Sequence, residues 1–81
     1  MPTVLRIGPY RFYFWSHELN EPPHIHVDRE EQTAKFWLAP VSLAKNIGFK
    51  KHEIRRIEAM VNEHEREFLE AWRVHFRNRG R

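Results

Sequence analysis

The chain has 81 residues, no cysteine and a formal net charge of +3, from 14 Lys and Arg against 11 Asp and Glu. This length is enough for one hydrophobic core, which must rest on apolar packing, with a partner chain or a metal as the only other supports. Hydrophobic residues make up 41% of the chain and aromatic residues 14%, which excludes an intrinsically disordered protein. We therefore predict a single folded domain over residues 1–81.

The sequence indicates neither secretion nor membrane insertion. Its first residues lack a basic segment followed by an apolar block, and its longest uncharged stretch, residues 36–44, is too short to span a bilayer. We therefore expect a soluble cytoplasmic protein without membrane contact.

Positive charge is concentrated in the second half of the chain. Residues 1–49 carry five basic and five acidic side chains, whereas residues 50–81 carry nine basic and six acidic ones. The basic tail, residues 78–81, could meet phosphates or an acidic partner. A net charge of +3 is nevertheless too small to indicate nucleic-acid binding by itself.

The first half of the chain, residues 1–48, is typical of a β-sheet. Four segments alternate apolar and polar residues or are rich in β-branched and aromatic side chains, namely residues 3–7, 10–16, 24–28 and 32–38. A further segment, residues 41–47, fits either a fifth strand or a helical turn. The pattern predicts a small antiparallel sheet of four or five strands.

After Gly48 the apolar residues follow a helical period, at positions 54, 57, 61, 64, 68, 71 and 75. This spacing predicts one long helix over residues 49–77 that packs against the sheet, and hence an α+β fold. Such a helix is roughly 40 Å long, whereas a compact domain of this length is only about 30 Å across. We therefore expect a second chain, in a homodimer or a hetero-complex, to cover the last helical turns at Trp72 and Phe76.

The segment Pro22-Pro23-His24-Ile25-His26 is the best candidate for chemistry. In a strand, His24, His26 and Asp28 share one face, where two imidazoles can exchange protons or bind a divalent metal. His17 could approach from the preceding loop. The alternative that the pattern favours is a solvated sheet face with structural hydrogen bonds. We accordingly predict no cofactor and no metal, and we name His24, His26 and Asp28 as the ligands if a metal binds.

An aromatic run at residues 10–15 could supply a base-stacking platform for RNA, with basic side chains beside it. Core packing is the alternative that we favour for most of these rings, because the run alternates between two faces. The candidate binding residues are Arg11, Trp15, Trp37, Trp72 and Arg73.

Four segments together resemble a bacterial family, domain of unknown function 4160; they are residues 1–4, 21–27, 34–38 and 68–72. The likeness covers nearly the whole chain, and its most specific piece is Pro-Pro-His-x-His-Val. The resemblance implies no established activity. It does imply a small protein often encoded beside a second small protein, in pairs that look like toxin–antitoxin modules.

The resemblance places hallmark residues at His24, His26, Lys35 and Trp37, with Trp72 anchoring the helix. Many relatives follow the helix tryptophan with His-Glu, whereas Arg73 and Val74 follow it here. Any role of that His-Glu pair therefore does not transfer to this chain.

Three functions remain open. The leading hypothesis is a toxin-like interaction protein of a toxin–antitoxin-type pair, controlled by a neighbouring small protein. The second is an RNA-cleaving toxin, in which His24 and His26 are acid and base and Lys35 stabilises the developing negative charge. The third is a non-catalytic module that binds nucleic acid or metal.

Overall fold

Five antiparallel strands form one sheet and two helices cover one of its faces in the computed structural model, which describes residues 3–15 and 20–79, with side chains as far as Phe76. The strands lie side by side in chain order: β1 (Thr3–Ile7), β2 (Tyr10–Tyr13), β3 (His24–Arg29), β4 (Gln32–Leu38) and β5 (Val41–Ile47). The predicted α+β fold with four or five antiparallel strands is confirmed, and the segment left open is the fifth strand. His17, residues 1–2 and the last two residues of the predicted basic tail lie outside the described residues.

Two-residue loops join three of the four neighbouring strand pairs, and such short loops allow only antiparallel neighbours. Gly8 starts the first loop with a φ of 55°, a left-handed conformation that glycine adopts without strain. Glu30 has the same φ at the start of the loop between β3 and β4. Ala39-Pro40, with a cis peptide bond, connects β4 to β5.

Side chains alternate between the two faces of the sheet. The inner face, against the helices, is apolar and buried; its residues include Phe12, Ile25, Val27, Ala34, Phe36 and Leu38. On the opposite face, which we call the outer face, His26 lies across from Lys35 and from Tyr13. The register therefore brings polar and aromatic side chains of three strands together on the outer face.

The last strand contains one residue more than its neighbour requires. Lys35 pairs with Lys45 and Phe36 pairs with Leu43, so Ala44 is the extra residue of a β-bulge. Because of the bulge, Leu43 points to the inner face while Lys45, two residues later, points to the outer face.

The helical half consists of two helices, α1 (Lys51–Glu63) and α2 (Glu65–Arg79), and the prediction of one long helix is wrong. His64 separates them, because its φ of −107° and ψ of 17° are not helical. Its ring nitrogen lies 2.7 Å from a carboxylate oxygen of Glu67. The bend lets α1 pack on β4 and β5 while α2 packs on β3 and β4. In the described part of the chain neither helix could cross a membrane, because neither is long and apolar enough.

The apolar end of α2 is covered by the chain itself. Trp72 and Phe76 are each only 8% exposed, and the Trp72 ring lies 5.3 Å from the Phe14 ring between centroids. The molecule is elongated, 40 Å along its longest axis. The expectation that Trp72 and Phe76 need cover from a second chain is therefore wrong.

We expect Trp72→Ala to lower the free energy of unfolding by about 3–5 kcal/mol, since it removes a large buried ring and leaves a cavity. The matched control is Trp15→Ala, because Trp15 is 38% exposed. Urea denaturation followed by circular dichroism measures both variants. An equal loss for the two would contradict the assignment of Trp72 to the core.

One carboxylate ties α1 to the sheet. Glu53, in the first turn of α1, accepts hydrogen bonds from both Arg29 (2.7 and 3.0 Å) and Tyr10 (2.7 Å). The bonds from Arg29 and then Tyr10 lower the pKa of Glu53 from its ordinary value of 4.5. Burial, followed by the bond to Glu53, raises the pKa of Tyr10. Folding therefore favours an ionised Glu53 and a protonated Tyr10.

We expect Glu53→Gln to lower the melting temperature at pH 7. Because the folded pKa of Glu53 is below 4.5, its contribution to stability is present above that pH and is lost as the pH falls through the folded pKa. The difference in melting temperature between variant and wild type should therefore shrink at low pH. Thermal melts at several pH values test this, with Glu58→Gln on the same helix as control. A difference that is constant with pH would contradict it.

Candidate functional site

The outer face of the sheet carries a cleft of about 480 Å³, which we call the outer-face cleft. Side chains from β2, β3, β4 and β5 line it, because alternate residues of each strand point to this face. Its lining includes the side chains of Tyr13, Trp15, His26, Asp28, Lys35 and Lys45.

At the centre of the cleft His26 is held between aromatic rings. Its imidazole stacks on Tyr13, with 5.3 Å between ring centroids and 18° between planes. Trp15 meets the same imidazole edge-on at 6.3 Å. His26 is only 9% exposed, so the expected solvated face is wrong at this position. These contacts restrict the ring to one orientation toward the cleft.

Next to His26, Tyr13 is a fixed hydrogen-bond donor. Its hydroxyl donates to Asp28 across 3.0 Å. Burial, followed by this bond, raises the pKa of Tyr13 to about 12. The phenol therefore keeps its proton at neutral pH and donates a hydrogen bond to one oxygen of Asp28.

His24 lies behind the cleft rather than in it. It is fully buried, and its ring centroid lies 5.1 Å from that of His26 and 4.8 Å from that of Trp72 on α2. Its Nδ1 atom is 2.9 Å from the carbonyl oxygen of Pro22. A carbonyl only accepts, so Nδ1 carries a proton and, in the neutral ring, Nε2 carries the lone pair. The expected solvated face is wrong here too.

Lys35 faces the cleft with its charge already paired. Its Nζ atom donates a hydrogen bond to Glu21, and it lies 4.7 Å above the centre of the Trp37 ring. A backbone bond from Leu38 to Pro23 holds the same segment against β4. Lys35 thus fixes the segment that leads into β3 and supplies a cation beside His26.

The structure brings most of the predicted site residues to one place. His26, Lys35 and Trp15 line the cleft, and His24 and Trp37 lie just outside it in contact with His26 and Lys35. From the edge of this group the Arg11 guanidinium lies 4.8 Å above the Tyr13 ring, and Trp72 reaches it from the helix. Arg73 does not join them, because it is exposed on α2 and pairs there with Glu70.

The sequence-based reasoning missed Tyr13, Glu21 and Lys45 as site residues. Tyr13 could have been found, because it alternates with Arg11 and Trp15 in the predicted strand and therefore points to the same face. Lys45 could not be found, because the bulge at Ala44 interrupts the regular alternation of faces along β5. Across residues 3–15 and 20–76, no three His, Asp or Glu side chains come together in a way that could hold a metal ion.

Fold and site define a small α+β protein whose five-stranded sheet carries a histidine-containing cleft on its uncovered face. The family model described as Domain of unknown function (DUF4160) matches residues 10–73, and the chain therefore belongs to this family. The match spans every residue that lines the cleft. No curated protein and no solved structure matches the chain.

We expect neutral His24 to be protonated on Nδ1, the tautomer that the bond to Pro22 requires. Long-range ¹H–¹⁵N correlation spectra at pH 8 give the tautomer of each histidine directly. His52, which is exposed on α1, is the control and should show the mixture typical of a solvated ring. A protonated Nε2 on His24 would contradict the proposed geometry.

Proposed function

We propose that this protein is the toxin-like component of a toxin–antitoxin-type pair, and that it acts in the cytoplasm through the outer-face cleft while a small cognate protein controls it. The observation that carries the proposal is the cleft itself, in which an oriented imidazole lies beside a lysine. Proton transfer and charge stabilisation need those two groups at close range.

RNA is the substrate class that the cleft fits best. Trp15 offers a partly exposed ring for stacking, and Lys45 and Arg11 lie on the same face for contacts with phosphates. RNA-binding sheets combine the same two features, aromatic rings and cations on one exposed face. The acidic side chains Glu30 and Glu31 at one end of the cleft would direct the RNA toward the other end.

RNA cleavage is a second, more specific candidate. It is favoured by the short distance between His24 and His26 and by the position of Lys35 directly across from His26. His26 lines the cleft and would take the proton of the attacking ribose hydroxyl, and water would protonate the leaving oxygen. His24 is fully buried, so it would orient the His26 ring without contacting the RNA. A non-catalytic module that binds RNA uses the same surface without this step.

The partner is expected to be a separate small protein rather than a second copy docked through the helix. The prediction of a contact through the C-terminal helix depended on Trp72 and Phe76 lacking cover. Since both are buried within the chain, that reason no longer applies.

The test is induced expression in a bacterial host with and without the product of the adjacent gene. We expect growth inhibition only without the neighbour, and loss of inhibition for His26→Gln, whose amide cannot exchange a proton near neutral pH. In vitro, cleavage of RNA should fall by about 10²-fold or more, the usual contribution of one acid–base group.

His52→Gln is the matched control, because it makes the same change on an exposed ring away from the cleft. Inhibition by His26→Gln equal to that of wild type, with a normal circular dichroism spectrum, would exclude His26 from the activity. RNA binding without cleavage would select the non-catalytic module. A wild-type chain that inhibits nothing would overturn the toxin-like role.

A further inference from the structure

We propose that the free edge of β5 is the docking surface for an acidic strand from a different protein. The inference rests on the proposed function only in identifying that protein with the cognate partner. It adds where the partner binds, what chemistry it carries, and how its binding reaches the cleft.

The free edge of β5 is more exposed than the edge formed by β1 on the other side of the sheet. Six of its seven residues are exposed, and Leu43 and Ile47 are 42% and 49% exposed. β1, at the other edge, has five residues, of which only two are exposed. An uncovered edge strand offers a row of backbone donors and acceptors to an incoming strand.

The bulge at Ala44 disfavours a second copy of this chain as the occupant. Two identical antiparallel strands related by a two-fold axis must pair residues that lie on the same face. A ladder centred on Ala44 would place Leu43, on the inner face, opposite Lys45 of the other copy, on the outer face. Ladders centred on Ser42 or Asn46 pair residues of the same face, but only three residues of each copy can pair before the ladder meets the bulge. A foreign strand has no such restriction.

Charge indicates the chemistry of that foreign strand. Lys45 on β5 is followed by Lys50 and Lys51, and no acidic residue lies anywhere in residues 41–52. Within the described chain Lys45 has no ion-pair partner. A strand with an acidic side chain across from Lys45 and apolar side chains near Leu43 and Ile47 would satisfy this edge.

Docking at this edge would act on the cleft directly. Lys45 and Ile47 belong both to the β5 edge and to the lining of the outer-face cleft. A strand added beside them extends the sheet on the β5 side of the cleft. The side chains that this added strand places on the outer face then lie beside the cleft. A partner could thereby block RNA without contacting His26.

The experiment is backbone amide hydrogen exchange on the chain alone and in complex with the adjacent gene product, with masses determined by light scattering. We expect a monomer alone, a hetero-complex with the neighbour, and protection that rises on β5 but not on β1. Lys45→Glu should weaken the complex by about tenfold or more, as for a like charge placed opposite an acidic strand. Arg6→Glu, the same change at an exposed position of β1, is the control.

The outcomes separate the two proposals. A hetero-complex that leaves β5 unprotected and tolerates Lys45→Glu overturns the docking site but not the proposed function. A homodimer that protects β5 overturns the argument from the bulge. If the neighbour is soluble but does not bind, partner control fails, and a synthetic strand peptide of alternating valine and glutamate then tests the edge alone. Amide shifts confined to β5 with that peptide, absent with its lysine counterpart, support the site, and no shifts overturn it.

Discussion

The alternation of side chains along β3 is the constraint on which the rest of the structure depends. Ile25 and Val27 point into the core under the helices, so His24 and His26 must point to the outer face. A slip of one residue would turn His26 away from the cleft and remove the two aliphatic side chains from the core. The energy that holds the core together therefore also fixes the position of the histidines.

Several polar side chains in and beside the cleft are hydrogen-bonded to neighbours. The carbonyl oxygen of Pro22 accepts a hydrogen bond from His24, Glu21 pairs with Lys35, and Asp28 accepts a hydrogen bond from the Tyr13 hydroxyl. A buried polar group without a partner would cost about 1–3 kcal/mol, so these bonds restrict each side chain to one arrangement. Sites that hold their groups in place before the substrate arrives lose less free energy in ordering them.

Local periodicity was enough to predict the sheet and the shared side of β3 for His24 and His26, whereas Lys35 was named through the family resemblance. It could not reveal the bend at His64, because His64 itself lies on the apolar stripe and the period continues through it. Nor could it predict the bond between Tyr10 and Glu53, which are 43 residues apart and meet only after α1 packs on the sheet. The burial of His24 escaped prediction for the same reason, since Trp72 reaches it from α2.

The bulge at Ala44 links the outer-face cleft to the free edge of β5. Without the extra residue, β5 would alternate regularly, and a second copy could pair with it along most of its length while keeping faces matched. With it, the edge remains accessible but self-pairing is limited to a few residues, which is how natural sheets protect an edge against association with identical chains. The same residue turns Lys45 toward the outer-face cleft. One inserted residue thus disfavours self-pairing at this edge and, under the proposed docking, would bring a foreign strand next to Lys45 at the β5 side of the cleft.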